Sequence, residues 1–392
     1  KSKNSTLIPI QESTHCIFLT NSFVMINWNY ILPIFAFSEL FLNILLPVNS
    51  NYILGNYLFP VCFLALFYLY RKERRFQISL LLITLFCAVQ ILSNYLNKGI
   101  NFSELLWSIQ WFKIFTLFWC GLYSFKNWHG LSCRIIEFCF LTLAVINALQ
   151  LMEIPLIIEL YAPSVSYLDL INFSVLDTRI FGSFSNPNTN AAALLLFACF
   201  FLFYKIKNRW SYVAISGMLI FMTQSRTALL AFLVILLIYV LKNNRIHWKK
   251  TALYGFLAAC IFATILLVFK FDYILMLFDG RIFESNSFLF RIASIKESII
   301  ANTDCFILGQ GKVKNIPELI GYSIDNQYAY IYLEYGLVGL MVFSAIIISI
   351  LKHTITNRYY GAMLMLFVLL FIGVSNLSFS NSNLISLYAI LL

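Results

Sequence analysis

Apolar runs of roughly twenty residues, divided by short polar connections, recur along almost the whole chain, and a helix needs about that length to cross the hydrocarbon of a bilayer. The pattern predicts twelve spans, near 24–46, 52–70, 76–96, 105–124, 131–152, 189–206, 210–224, 226–241, 251–270, 328–351, 360–378 and from about 383. The expected fold class is all-α: a polytopic integral membrane protein of about 12 transmembrane helices, forming one membrane domain over residues 1–392. Two connections, 153–188 and 271–327, are long enough to carry structure of their own, and the second should contain short helices and act as a lid. No internal repeat, Gly/Ser linker or low-complexity tail divides the chain.

Two of the spans are short. About fifteen residues separate Arg209 from Arg226, and about as many lead on to Lys242. At 1.5 Å per residue each arm reaches roughly 22 Å, against about 30 Å of hydrocarbon. The connection Thr223-Gln224-Ser225-Arg226 is therefore expected below the outer surface, where polar backbone survives only inside protein or beside a wet cavity. An arginine at such depth needs an anionic partner. Arg226 points to a recessed site, unless it snorkels or the bilayer thins locally.

Charge sets the orientation. Arg71, Lys72, Arg74 and Arg75, then Lys205, Lys207 and Arg209, then Lys242, Arg245, Lys249 and Lys250, then Lys352 and Arg358 fall in alternate connections. Cationic connections stay in the cytoplasm, so these segments and the N-terminus should lie inside, and the loops 153–188 and 271–327 outside. The formal net charge of +10 thus reports topology rather than nucleic-acid binding. With 61% apolar residues, 11% charged residues and a mean hydropathy of +0.82, no sizeable soluble domain is left over. The nine cysteines are scattered without disulfide or metal spacing. Residues 1–22 lack the order of a cleavable signal, so the first span is expected to direct insertion.

The outward connections hold the candidate chemistry. Arg179-Ile180-Phe181-Gly182 is followed by Ser185-Asn186-Pro187-Asn188, leading into a span that begins with Asn190. Asparagine caps helices, and a helix start with free amides attracts anions. The segment either caps and turns the chain or, with Arg179, binds an anion. In the long loop, Phe288, Ile292, Ile295 and Ile299 recur at helical spacing beside Ser287, Arg291, Ser294 and Ser298. This predicts a short amphipathic helix lying on the membrane domain with Arg291 aimed at a cavity and Lys296 on a more solvated face. Gly309-Gln310-Gly311 then forms either an ordinary turn or a loop whose backbone approaches a ligand.

Asp325 and Asn326 precede the next span, where a carboxylate is favoured and a plain N-cap is the alternative to function. Asn326, Tyr330 and Glu334 stand at i, i+4 and i+8, one polar stripe running inward, and Lys113 is a candidate partner for the deep Glu334. Gly336 and Gly339 would allow close helix packing below. Nucleotide loops, HExxH helices, Asp-x-Asp pairs and Cys/His ligand spacings are missing from the sequence, which disfavours metal and nucleotide-sugar mechanisms and leaves no cofactor to expect. Three cations, Arg179, Arg226 and Arg291, suit bidentate contacts to pyrophosphate, and an acid can deprotonate a hydroxyl. Intramembrane Lys113, Glu334 and Arg226 suit a transporter or lipid-linked sugar flippase as an alternative.

Arg179-x-x-Gly182 with Asn186-Pro187-Asn188, the Ser225-Arg226 turn, Arg291 with Gly309-x-Gly311, and Asp325-Asn326 with Gly336-x-x-Gly339 occur in an order that resembles the O-antigen polymerase and O-antigen ligase superfamily, across about residues 175–350. The resemblance implies a metal-independent glycosyltransferase of the bacterial inner membrane, active on the periplasmic face with undecaprenyl-pyrophosphate-linked oligosaccharides. It implies Asp325, Arg226, Arg291 and Glu334 as catalytic positions, and Arg179, Asn186, Asn188, Asn326, Tyr330 and Gly311 as substrate-binding ones. Ligases of this kind typically carry a histidine where Asp325 stands, which favours a polymerase over a ligase. The double-Arg loop signature of some polymerases is incomplete, since Asn190 and not glycine stands eleven residues after Arg179. Expected partners are the lipid-linked oligosaccharides, the bilayer and a chain-length regulator protein, with no nucleic acid.

Overall fold

The computed structural model describes residues 28–46, 52–98, 102–162, 179–184, 186–204, 206–242, 286–311, 326–356, 360–373, 387, 388 and 391. Their ordered elements are helices: α1 (Trp28–Leu45), α2 (Tyr52–Tyr70), α3 (Arg74–Lys98), α4 (Phe102–Leu151), α5 (Pro155–Tyr161), α6 (Pro187–Phe203), α7 (Arg209–Met222), α8 (Arg226–Lys242), α9 (Asn286–Ala301), α10 (Gln327–Thr356) and α11 (Tyr360–Ile372). Among the described residues, three stretches are long and apolar enough to cross a membrane: Arg74–Asn97, Ser108–Leu151 and Gln327–Thr356. The apolar parts of α1, α2, α6, α8 and α11 are shorter. The protein is a helical membrane protein; the predicted span at 251–270 lies outside the described residues.

The two spans expected at 105–124 and 131–152 are both present, as the two arms of α4. The arms meet at Trp128 (φ −133°, ψ 39°), where the chain folds back on itself: Ser132 Oγ donates to the Ser124 carbonyl at 3.3 Å, and α1 meets one arm at Glu39–Lys113 and the other at Phe41–Phe138. The predicted short hairpin is present, as the 14 residues of α7 and the 17 of α8 are joined by a turn. Thr223, Gln224 and Ser225 of that turn are buried. Protein therefore surrounds the polar backbone, as its position between two short arms requires.

Packing makes one bundle. α1, α2 and α3 lie on α4; α6 lies on α7, α8 and α11; and α10 joins the two groups through α3 and α11. The core is aromatic, with Phe76, Phe86, Phe140, Phe197, Phe200 and Phe201 fully buried. Phe86 meets Trp111 and Tyr335 edge-on at 4.9 and 5.3 Å between ring centroids, and such pairs add to simple area burial. α5 is tied down by the Tyr161 hydroxyl, which donates to the Leu45 carbonyl at 2.6 Å; burial raises its phenol above the ordinary range.

Lys113 does not serve Glu334. Its Nζ lies 3.0 Å from Oε2 of Glu39 in α1, and both side chains are buried. A charged group deep in a helix bundle needs a compensating charge within reach, and α1 supplies it across the α1–α4 contact.

Candidate functional site

Three helix starts gather at one end of the bundle. α6 and α11 are antiparallel, because Gly361 at the start of α11 packs on Phe203 at the end of α6. α10 begins where α11 ends: the Gln327 amide donates to the Gly373 carbonyl at 2.8 Å, and the Tyr328 hydroxyl to the Leu370 carbonyl at 2.7 Å. The starts of α6 and α10 thus share an end, and the turn leading into α8 joins them through Arg179. Arg179 Nε donates to the Thr223 carbonyl at 3.0 Å and its Nη2 to Asn188 Oδ1 at 3.3 Å. Helix dipoles whose positive ends point the same way make this end of the bundle electropositive.

The α6 start is built from side chains. Asn186 is the N-cap, its Oδ1 accepting from the amides of Asn188 at 2.8 Å and Thr189 at 3.4 Å. Gln150 of α4 accepts from the amides of Phe181 (3.1 Å) and Gly182 (2.8 Å) and donates to the Gly182 carbonyl (2.9 Å). Gly182 has φ +58°, and a Cβ there would overlap the Asn190 side chain. Asn190 in turn donates to Asn147 Oδ1 at 2.6 Å. Arg179, Asn186 and Asn188 are therefore brought together as expected, each with a structural task. Gln150 and Asn147 escape the sequence reading, although two amides three residues apart in an apolar run are a detectable signal.

The second half of the site surrounds a break in α10. Gly336 has φ +62° and ψ −162°, a conformation open essentially to glycine alone. An unbroken helix would pair the amides of Leu337 and Val338 with the carbonyls of Leu333 and Glu334. Instead Leu337 donates to the Phe306 carbonyl at 2.8 Å and Val338 to Ile307 at 3.1 Å, while the Leu333 and Glu334 carbonyls accept from Gln310 at 2.8 Å and Gly311 at 3.0 Å. The 306–311 segment thus gives partners to two amides and two carbonyls that the break releases. α3 secures it, with Ser93 Oγ donating to the Glu334 carbonyl and Asn97 Nδ2 to the Gly309 carbonyl, both at 2.8 Å.

The glycines answer to this contact. A Cβ on Gly309 would meet Glu334 and Gly336 backbone at 2.5 Å, and one on Gly311 would meet Asn94 Oδ1 at 2.5 Å. Their backbone thus approaches other protein groups closely. Gly339 faces the Tyr335 side chain of its own helix across the break, so it accommodates the kink rather than a neighbouring helix.

Along α10 the polar stripe is joined within itself. Asn326 Oδ1 accepts from the amides of Tyr328 (3.0 Å) and Ala329 (2.9 Å), so Asn326 is the N-cap. Asp325 lies outside the described residues. Glu334 is buried and hydrogen bonds with the side chains of Tyr330 and Tyr335. Its backbone and side chain are both engaged at the break.

α9, the predicted amphipathic helix, packs on α10 in a way that reverses the expected face. Ser298 and Asn302 are fully buried, and Asn302 Nδ2 donates to the Tyr332 carbonyl at 2.9 Å, whereas Ile292 and Ile299 are about half exposed. Periodicity identifies an apolar stripe but not which stripe meets protein, and a membrane protein can turn its apolar stripe outward. Lys296 is exposed, as expected. Position 291 stands two turns before Ser298 on the stripe that docks. Arg226 opens α8; nothing further is described for either arginine.

Residues 211–344 match the family model described as O-antigen ligase. The match spans the α7–α8 turn, α9, the 306–311 segment and the break in α10, and starts downstream of Arg179 and Asn186. No curated protein matches the chain.

Proposed function

An O-antigen ligase-family segment across residues 211–344 is the premise from which we propose that this protein is a polysaccharide polymerase of the inner membrane. It would join undecaprenyl-pyrophosphate-linked oligosaccharide repeat units on the periplasmic face. The observation that carries this reading is the gathering of the α6, α8 and α10 starts at one end, where Arg179 bridges the α6 start and the turn into α8. Such an end suits the pyrophosphate of a lipid-linked donor, which needs no nucleotide and no metal. Arg226 and Arg291 hold the donor and stabilise charge on the departing lipid pyrophosphate. Asp325 takes the proton of the acceptor hydroxyl as its oxygen bonds to the anomeric carbon and the carbon–pyrophosphate bond breaks. Single displacement inverts that carbon. Glu334, held by Tyr330 and Tyr335, positions the lid segment against α10.

The test is turnover of purified full-length protein on lipid-linked repeats. Arg226→Ala and Arg291→Ala should each lower the rate by roughly a hundredfold or more, and unchanged rates would remove both from the site. Asp325→Asn should abolish most turnover at unchanged stability, because Asn326 already caps α10.

The description of the matched family favours a second reading, a ligase that moves the glycan to a lipid or protein acceptor. Supplying each acceptor in turn decides between them. The buried Glu39–Lys113 pair keeps a flippase in view; longer glycans identify the enzyme, and a change of sidedness without new bonds identifies transport.

A further inference from the structure

The opposite end of the bundle carries a site that glycosyl transfer does not use. α3 and α10 are antiparallel, so the α3 residues that brace Glu334 are far from the α3 start, where Arg75 Nη1 lies 3.1 Å from His353 Nδ1. From the break at Gly336 to His353 the distance along α10 is roughly 25 Å. Between the α3 start and the α10 end lies a cavity of about 440 Å³, lined by Arg74, Arg75, Trp119, Lys352 and His353 among others. Among the described residues no Asp or Glu lines it; Glu73 stands next to Arg74 in the chain but outside the lining. The cavity shares Ser79, Phe118, Ser349 and Ile350 with a narrower slot of about 100 Å³ between α3, α4 and α10. The walls of that slot are apolar, with Leu82, Trp111, Phe115 and Ile347 among them.

Arg74, Arg75 and Lys352 around one mouth sum to a positive potential that favours an anion. An apolar slot open to that mouth has nothing to offer a free anion. Charge complementarity and the joined slot therefore select an anion that carries a hydrocarbon chain. A basic pocket between spans at the cytoplasmic end is where an anionic headgroup is held, and the density of cations assigns this end to the cytoplasm. We propose that the bundle holds an anionic phospholipid of the bilayer here, its phosphate between Arg74, Arg75 and Lys352 and one acyl chain in the slot. Lys and Arg stems packed along the apolar wall leave their charged ends at headgroup level. The bound lipid fastens α3 to α10 at the end opposite the docked 306–311 segment.

The experiment is native mass spectrometry of the full-length protein titrated with phosphatidylglycerol and, separately, with phosphatidylethanolamine of the same acyl chains. Phosphatidylglycerol should bind at least roughly tenfold more tightly, and the triple variant R74Q/R75Q/K352Q should weaken it on the order of a hundredfold while leaving phosphatidylethanolamine unchanged. Ser349→Trp fills the slot and keeps the cations, and should also weaken phosphatidylglycerol. Equal binding of the two lipids by the unmutated protein would overturn the proposal whether or not any variant folds. So would displacement of the lipid by glycerol 3-phosphate, which would mark a soluble-phosphate site, or by a polyprenyl phosphate at equal concentration, which would mark a carrier-lipid site. None of these outcomes depends on the polymerase reading.

Discussion

The α6 start and the α10 break are both places where a helix bundle exposes backbone groups that it must satisfy again, and they do so with different materials. At α6 the repair comes from side chains: Gln150 serves Phe181 and Gly182, Asn186 caps the helix, and Arg179 reaches the next turn. At α10 it comes from backbone, four main-chain bonds between 306–311 and 333–338. The first repair can be weakened one side chain at a time. The second tolerates many side chains but demands glycine where the two backbones meet.

The largest effect should follow from Gly336→Ala, which places a Cβ against the Ile307 backbone at a positive φ. We expect a loss of roughly 3 kcal/mol or more in unfolding stability in detergent. Gly309→Ala should be similar, and the double variant should fall short of the sum by about 1 kcal/mol or more, since both break one contact. Full additivity would mean that the two glycines act apart. Gln150→Ala comes next, at about 2–3 kcal/mol, because it strands buried amides at 181 and 182. Gln150→Glu keeps the acceptor and should recover part of that loss; no recovery would refute the side-chain account of the α6 start. Ser93→Ala removes one of two donors to the Glu334 carbonyl and should lower stability by about 1 kcal/mol. The smallest effect belongs to Asn326→Asp, within about 0.5 kcal/mol, against about 1 kcal/mol for Asn326→Ala. Thermal or denaturant unfolding in one detergent ranks all of them.

Hydropathy locates most of the described helices to within a few residues, because apolar length is the property that a bilayer selects. It divides α4 at 125–130, where the chain does fold back at Trp128, although the reversal is tighter than a polar loop at Lys126 and Asn127 suggests. Helical spacing finds α9 and its stripes, yet spacing carries no information about what lies on either side. The docking of Ser298 and Asn302 thus becomes visible only with α10 in place. The Glu39–Lys113 pair joins residues far apart in the chain, and neither residue names its partner. For the candidate site, Arg179, Asn186 and Asn188 are legible because their tasks are local. The work of Gly309 and Gly336 is not, because a glycine's reason is the atom that would strike its Cβ, and that atom belongs to another segment.

The strap at 306–311 has a consequence for how such a protein can diversify. A latch made of main-chain groups takes no account of side-chain identity, so the residues beside it can be exchanged without loosening the fit. Phe306 and Ile307 lend only their carbonyls to the latch and are about half exposed, and Leu333 and Glu334 lend theirs from the helix. A lineage that must follow a changing sugar chemistry can therefore rewrite the lid's outer surface freely while holding two glycines constant.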